Sequence, residues 1–303
     1  MTLPTHFLGE LAALSAACLW AIAVVVYGHI GQTLPPLRLN VAKGAIALGF
    51  IVVTLLILQD PVPTTRPWPL GLLLLSGVMG IGIGDTFLFN SLNQLGARRA
   101  LLLQTIAPVF GALLAWIFLQ ETISLPNGIG MGLTIAGIFW VIVERTQPVD
   151  LSPVQPPHQI WQGIGYGLLS ALAQAVGVVL ARAALTQSEI GPLWSALLRI
   201  GAGEVILLLW LAWQPNHFQL ITQPKEPLKL LGTIVLGACL GTYLGIWLQQ
   251  TSIKYAQVGI AQSLGATSPL FVLPIVAWLG ETITFRAIAG AVLALSGIAL
   301  LLW

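Results

Sequence analysis

Ten long apolar stretches constrain this 303-residue chain more than any other feature. A helix needs about 20 predominantly apolar residues to cross the hydrocarbon core of a bilayer, and each stretch is close to that length. Only 7% of the residues are charged, against roughly 25% in soluble proteins, so lipid rather than water must cover the apolar exterior. We predict an all-α integral membrane protein that crosses the cell membrane, inner or plasma, ten times. The predicted spans are Gly9–Tyr27, Leu37–Leu58, Pro69–Asn90, Arg99–Leu119, Pro126–Val143, Gln162–Ala181, Pro192–Trp213, Leu228–Gln250, Val258–Leu279 and Ala287–Trp303.

The polar residues exclude several classes of site. The net charge of +2 is too small for the basic surface of a nucleic-acid-binding protein. Cys18 and Cys239 lie inside apolar stretches, and no CxxC or HExxH spacing occurs, which predicts no metal site and no cofactor. The 4 histidines fall near span ends or in loops, so we predict that the protein is not an enzyme. Its predicted partners are a small-molecule substrate and the lipid bilayer, with the chain acting as a monomer.

An internal repeat divides the chain into two halves. Short motifs of the first half recur in the same order in the second, with an offset that drifts by only a few residues. The matches are Gly80 and Gly84 with Gly237 and Gly241, Ala107-Pro108 with Ser268-Pro269, Glu121-Thr122-Ile123 with Glu281-Thr282-Ile283, and Gly130 and Gly137 with Gly290 and Gly297. Lys43 lies close to the counterpart of Arg199. The repeat predicts a five-helix unit over residues 1–147, a linker over 148–160 and a second five-helix unit over 161–303.

The number of spans in each unit predicts how the two units are related. Five is an odd number, so the second unit must enter the membrane from the side opposite to the first. The halves are then inverted repeats about a pseudo-twofold axis in the membrane plane. Inverted repeats of this kind are typical of secondary transporters, whose substrate site lies near the bilayer midplane between the halves.

The duplicated motifs resemble those of the drug/metabolite transporter superfamily, specifically its EamA-type members. The resemblance is carried by Pro108 followed by Glu121-Thr-Ile, and by Pro269 followed by Glu281-Thr-Ile, each with two glycines beyond. Further positions that fit are Trp20, Lys43 and Arg199. The resemblance implies ten helices around a central cavity lined by spans 1–4 and 6–9, with spans 5 and 10 peripheral. It implies transport, often export, of amino acids, nucleotide precursors or other small metabolites.

Ionisable side chains inside a span cost about 2.5–3.5 kcal/mol each at its centre, so they face a wet cavity or pair with one another. Asp85 in the third span is interpreted either as a cavity-lining acid, which carries a proton or faces a substrate amine, or as an acid paired with a buried cation. Its counterpart in the glycine alignment is Thr242. Lys43 and Arg199 either capture an anionic group such as a carboxylate, or reach the head groups or pair with Asp85 and Glu204.

Prolines interrupt the fourth and ninth spans at matching depths. The predicted helix breaks are Pro108, Pro269 and Pro274. A proline frees a helix carbonyl, and paired breaks in corresponding spans point to a binding site, with a packing kink as the alternative.

Trp20 has no clear counterpart, because Gln174 occupies that level of the sixth span. The candidate substrate-binding residues are Trp20, Asn40, Lys43, Asp85, Gln104, Gln174, Arg199, Gln262 and Thr267.

Together these features favour a secondary transporter, working as an exporter, for a small organic metabolite such as an amino acid or related solute. Alternating access would move the solute, and proton coupling through Asp85 is one way to drive it. The sequence has no P-loop, so ATP-driven transport by this chain alone is not expected. A passive facilitator or channel for small solutes is the alternative, and an intramembrane enzyme is less favoured. Glu121 and Glu281, which open short connections, are interpreted as helix-terminal or loop-fixing carboxylates.

Overall fold

The structure is a computed structural model that describes residues 5–30, 34–144, 157–213, 227–268, 270–271, 274 and 285–301. Within these residues the chain is helical and forms no strand, as a membrane span requires when its backbone groups must bond to one another. Two seven-residue segments, Val78–Gly84 and Ala238–Leu244, are π-helical. The α-helices are α1 (Thr5–Ile30), α2 (Pro36–Leu58), α3 (Pro67–Gly77), α4 (Asp85–Gln104), α5 (Ala107–Leu119), α6 (Leu125–Glu144), α7 (Pro157–Thr186), α8 (Pro192–Trp213), α9 (Pro227–Gly237), α10 (Gly245–Tyr255), α11 (Val258–Gly265) and α12 (Phe285–Leu301).

The described helices fall on the predicted membrane spans. Five are long and apolar enough to cross a membrane, and four more are apolar but shorter. The predicted ninth span, Val258–Leu279, lies partly outside the described residues. Apolar side chains such as Leu56 and Ile57 point outward and are 72% and 74% exposed, as expected of residues that contact lipid. The chain is a multi-pass membrane protein.

Local sequence signals explain where several helices begin and end. Prolines begin α2, α3, α7, α8 and α9, because a backbone N–H in the first turn has no acceptor within the helix and its absence in proline costs nothing. Gln59 and Gln120 end α2 and α5 with positive φ angles of 50° and 55°. This left-handed conformation stops a helix, and it lets the chain turn back into the next span.

The predicted boundary between spans 3 and 4 lies inside α4, where the chain reverses direction. The hydroxyl of Ser170 donates a hydrogen bond to the carbonyl of Gly84 at 2.7 Å and accepts one from Gln104 Nε2 at 2.8 Å. A straight helix would separate Gly84 from Gln104 by about 30 Å. The two residues can meet the same hydroxyl only if the chain folds back between them.

The helix bounds repeat between the two halves. The α3 helix and the first π-helical segment cover 67–84, and α9 and the second π-helical segment cover 227–244. Lys43 is the eighth residue of α2 and Arg199 is the eighth residue of α8, so these two cations occupy equivalent positions. The second half has no acid at the place that matches Asp85, since Gly245 and Ile246 follow its π-helical segment.

The first helix of each half packs against the third span of the other half. Along α1, Gly9 approaches Ala256 and Tyr27 approaches Gly237. Residue numbers rise along α1 while they fall along the partner, so the two helices are antiparallel. The α7 helix packs in the same way on the third span of the first half, where Gly177 approaches Ser76 and Gly163 approaches Leu95.

The α6 and α12 helices form a separate antiparallel pair. A β-carbon on Gly130 would lie 2.9 Å from the carbonyl oxygen of Gly297, and one on Gly137 would overlap the backbone of Gly290 and Ala294. Glycines therefore let the two backbones approach closely, as small residues do in membrane helix pairs. The contacts are reciprocal. Gly130 meets Gly297, the repeat counterpart of Gly137, and Gly137 meets Gly290, the repeat counterpart of Gly130.

Candidate substrate cavity

A cavity of about 630 Å³ lies between the two halves, within the range of small-molecule binding sites. Its walls come from α1, α2, α4, α5, α7, α8, α10, α11 and both π-helical segments, and no described residue of α6 or α12 lines it. This agrees with the implied arrangement in which spans 5 and 10 are peripheral. The predicted residues that line the cavity are Trp20, Lys43, Asp85, Gln104, Pro108, Gln174, Arg199 and Gln262.

Asp85 is held by two neighbours from different helices. Its Oδ2 lies 3.6 Å from Lys43 Nζ, and its Oδ1 accepts a hydrogen bond of 2.9 Å from Gln174 Nε2. The side chains of Lys43 and Asp85 are 16% and 19% exposed, so the ion pair is partly buried at the cavity wall. The ammonium of Lys43 also lies 5.8 Å from the ring centre of Tyr27 and 5.6 Å from that of Phe89, which is cation–π distance.

Arg199 lines the same cavity without an equivalent partner. The side chain is 2% exposed, and its Nε and Nη1 are buried without a hydrogen-bond partner. It interacts electrostatically with Asp85, although no described carboxylate forms an ion pair with it. Glu204, one turn further along α8, turns its carboxylate toward the backbone of α2 at Gly44 and is not among the lining residues.

Trp20 and Gln174 occupy matching places in the two halves with different chemistry. The indole Nε1 of Trp20 donates a hydrogen bond of 2.9 Å to the carbonyl of Gly241 in the second π-helical segment. Gln174 packs on Gly80 and Gly84 of the first π-helical segment. Both positions thus contact the π-helical segment of the opposite half, one through an aromatic ring and one through an amide.

The helix breaks lie beside the cavity. The chain leaves helical geometry between Gln104 and Ala107, next to Pro108, and again at Ala266 and Thr267 after α11. Pro269 lies outside the described residues, and Pro274 is described and exposed.

Two of the predicted binding residues do not line the cavity. Asn40 is 1% exposed, and neither polar atom of its side chain has a hydrogen-bond partner among the described residues. Thr267 is fully buried, and its hydroxyl donates to the carbonyl of Leu264 at 2.6 Å.

The cavity also contains polar lining residues that the sequence did not single out. Those residues are Tyr27, Thr242, Gln249 and Ser252. A helical stripe could have identified Tyr27, because Ala13, Ala16, Trp20, Ala23 and Tyr27 recur at intervals of three and four residues along one face of α1. Tyr27 also places its hydroxyl 3.4 Å from that of Thr242. No comparable signal marks Gln249 or Ser252.

Polar contacts between the halves lie about one helical turn beyond one end of the cavity, and we call this end the closed end. Glu121, after α5, accepts a hydrogen bond from Arg182 Nε at 2.8 Å through Oε1 and one from the Val258 backbone N–H at 2.9 Å through Oε2. Arg182 Nη1 donates to the carbonyls of Ile253 and Lys254 at 2.8 and 2.6 Å. One carboxylate and one guanidinium thus join the end of α5 to α7, α10 and α11.

The position of the closed end follows from the helices that form it. Arg182 lies one turn beyond the lining residue Val178 on α7, and Val258 lies one turn before the lining residue Ala261 on α11. Ile253 belongs to both, since it lines the cavity and its carbonyl accepts from Arg182. The predicted loop-fixing role of Glu121 agrees with its bond to Val258, and the contact with Arg182 adds a link across the halves.

Comparison with known proteins identifies the family of this chain. The model of the EamA-like transporter family matches residues 7–143 and again 161–303. The chain belongs to the EamA-like transporter family. The match over both halves confirms the resemblance drawn from the duplicated motifs. Members of the EamA-like family are membrane transporters rather than enzymes.

A solved structure shares the fold of this EamA-like chain. It is described as "Crystal structure of protein", has 16% sequence identity and a TM-score of 0.78, and the match covers 96% of each chain. At this identity the likeness concerns the fold alone. No curated protein matches the chain.

Proposed function

We propose that this EamA-like chain is a secondary transporter that exports a small organic metabolite, such as an amino acid or related solute, by alternating access. It acts as a monomer in the cell membrane, inner or plasma, and needs no cofactor. The observation that carries the proposal is a cavity between two matched halves, with a mostly apolar wall that also bears Lys43, Asp85 and Arg199. One end of this cavity lies under contacts that join the two halves.

An inverted relation between the halves supports this mechanism. The first helix of each half packs antiparallel on the third span of the other, and Gly130 and Gly137 of α6 meet the repeat partners of each other on α12. Reciprocal contacts of this kind are expected of two units related by a twofold axis in the membrane plane. Two such units can exchange inward- and outward-facing roles by rocking around a central site.

The closed end favours a transporter over a passive channel. A channel needs a continuous path, whereas the Glu121–Arg182 contact holds one end of the cavity shut. Both side chains are largely withdrawn from solvent, at 14% and 15% exposed, so the contact excludes water as well as solute. Opening this end requires that the carboxylate and the guanidinium separate.

Thiol labelling from each side of the membrane tests the mechanism. A variant with Cys18→Ser and Cys239→Ser removes the native thiols, and Gln249→Cys places one on the cavity wall. A membrane-impermeant thiol reagent should react from one side only in this background. Adding Glu121→Gln should make the same cysteine reactive from the other side. Equal labelling from both sides without that change would indicate a channel and refute the proposal.

A further inference from the structure

Arg199 is the largest fully buried side chain among the described residues. Its guanidinium presents donors in a fixed planar arrangement that suits a carboxylate, yet Nε and Nη1 make no hydrogen bond. Buried guanidinium donors without hydrogen bonds are costly, because they have lost their water and only the attraction of Asp85 offsets that loss. A side chain of this kind on a cavity wall indicates that its partner is a ligand.

The carboxylates near Arg199 are engaged elsewhere. The two oxygens of Asp85 each face a nearer neighbour than Arg199, one Lys43 and the other Gln174. Glu204 faces Gly44 on α2 and interacts electrostatically with Lys43. Neither carboxylate therefore neutralises the positive charge of Arg199 at the cavity wall.

The described lining of the cavity carries an excess of positive charge. Its ionisable side chains with a formal charge are Lys43, Arg199 and Asp85, so cations outnumber carboxylates two to one. An anionic ligand would balance this charge, whereas a cationic ligand would have to displace Lys43 from Asp85. The electrostatics favour an anion over an amine.

The rest of the cavity can accommodate an apolar group. Small side chains line the wall at Ala13, Ala16 and Ala261, and the indole of Trp20 is fixed by its bond to Gly241. A β-carbon on Gly265 would lie 3.6 Å from the ring of Trp20, so this glycine leaves one edge of the indole free to contact a ligand.

From these observations we propose that Arg199 binds the carboxylate of the transported solute, and that the solutes are small organic acids. The assignment rests on the proposed transport function and narrows its substrate class. An amino group is not required, because Asp85 already has Lys43 and Gln174 as partners. The apolar part of the acid packs against Trp20 and the alanine-lined wall.

The test uses benzoate, benzamide and benzylamine, which share a ring and differ in charge. Thermal unfolding of the purified full chain in detergent at neutral pH reports binding of each compound. Benzoate should raise the unfolding temperature, while benzamide and benzylamine should not. Arg199→Gln should weaken benzoate binding at least tenfold, as loss of a charge-assisted bidentate contact implies, and Arg199→Lys should retain part of it. Arg66→Gln removes an exposed arginine outside the cavity and should bind benzoate as the unchanged protein does.

The three-compound comparison on the unchanged protein keeps the test decisive if an Arg199 variant fails to fold. Stabilisation by benzamide or benzylamine equal to that by benzoate, no response to benzoate, or unchanged binding by Arg199→Gln would each overturn the assignment. Counterflow of labelled benzoate in proteoliposomes separates this result from the proposed function. Binding of benzoate without flux would retain the Arg199 subsite and refute transport. Flux of benzylamine without flux of benzoate would support transport and refute the Arg199 subsite.

Discussion

Replacing Glu121 by glutamine removes the charge from the closed end while it keeps the length of the side chain. Glu121 accepts one hydrogen bond from Arg182 and one from the Val258 backbone, and a glutamine has one acceptor oxygen in place of two. One of the two bonds is therefore lost and the other becomes a bond to a neutral group. A hydrogen bond to a charged group contributes about 1.5–3 kcal/mol, so the closed form should lose about that much relative to the open form.

The expected change in population follows from this free energy. Since about 1.4 kcal/mol corresponds to a factor of ten, the open population at this end should rise by roughly ten- to a hundredfold. The labelling rate of Gln249→Cys from that side measures the population directly when opening is fast relative to the reaction. Glu189→Gln, which neutralises an exposed acid after α7, is the matched control and should leave the rate unchanged.

A double-mutant cycle with Arg182→Met assigns the effect to the ion pair. Each single change should speed labelling, and the pair should speed it by much less than the product of the two, because both remove the same contact. A rate that stays within a factor of two in Glu121→Gln would refute the reasoning. Fully multiplicative effects of the two changes would also refute it.

Three further predictions follow from the site and the packing. Asp85→Asn should abolish any dependence of solute flux on a pH gradient in proteoliposomes, and unchanged dependence would rule out Asp85 as the coupling acid. Trp20→Phe should lower the free energy of unfolding in detergent by about 1 kcal/mol, because the carbonyl of Gly241 loses its donor; an unchanged unfolding temperature would contradict this. Gly137→Val should prevent close packing of α6 on α12 and abolish monodisperse folded protein in size-exclusion chromatography. Gly132→Val, whose β-carbon would meet nothing within 4 Å, should behave as the unchanged protein, and equal behaviour of the two valine variants would refute the packing argument.

Hydropathy and the duplicated motifs allowed much of the fold to be predicted. Apolar length alone placed the spans, because a bilayer imposes it on every helix that crosses. The sequence placed Lys43 close to the counterpart of Arg199, and the two residues occupy equal places in α2 and α8. The counterpart of Asp85 was harder to predict, because glycines fit several registers of a π-helical segment that only the backbone hydrogen bonds define.

Pairings between distant spans could not be read from the sequence. It left open whether Asp85 faces a ligand or a cation, and the structure places Lys43 beside it. Glu121 has its partner Arg182 on another helix 61 residues away, and no local pattern marks that contact. Such contacts depend on how helices pack in three dimensions, and the spacing of apolar residues along one helix does not determine that packing.

The first half has Asp85 and the second half has no acid at the matching place, and this inequality has an energetic meaning. A transporter built from two identical copies would spend equal time facing each side, since exchanging the copies would give the same molecule. Here the acid is present in one copy and missing from the other, so the two facing states of the proposed alternating-access mechanism would differ in free energy. Under the proposed mechanism the sequence itself would set which side the resting transporter faces, and any gradient would work with or against that bias.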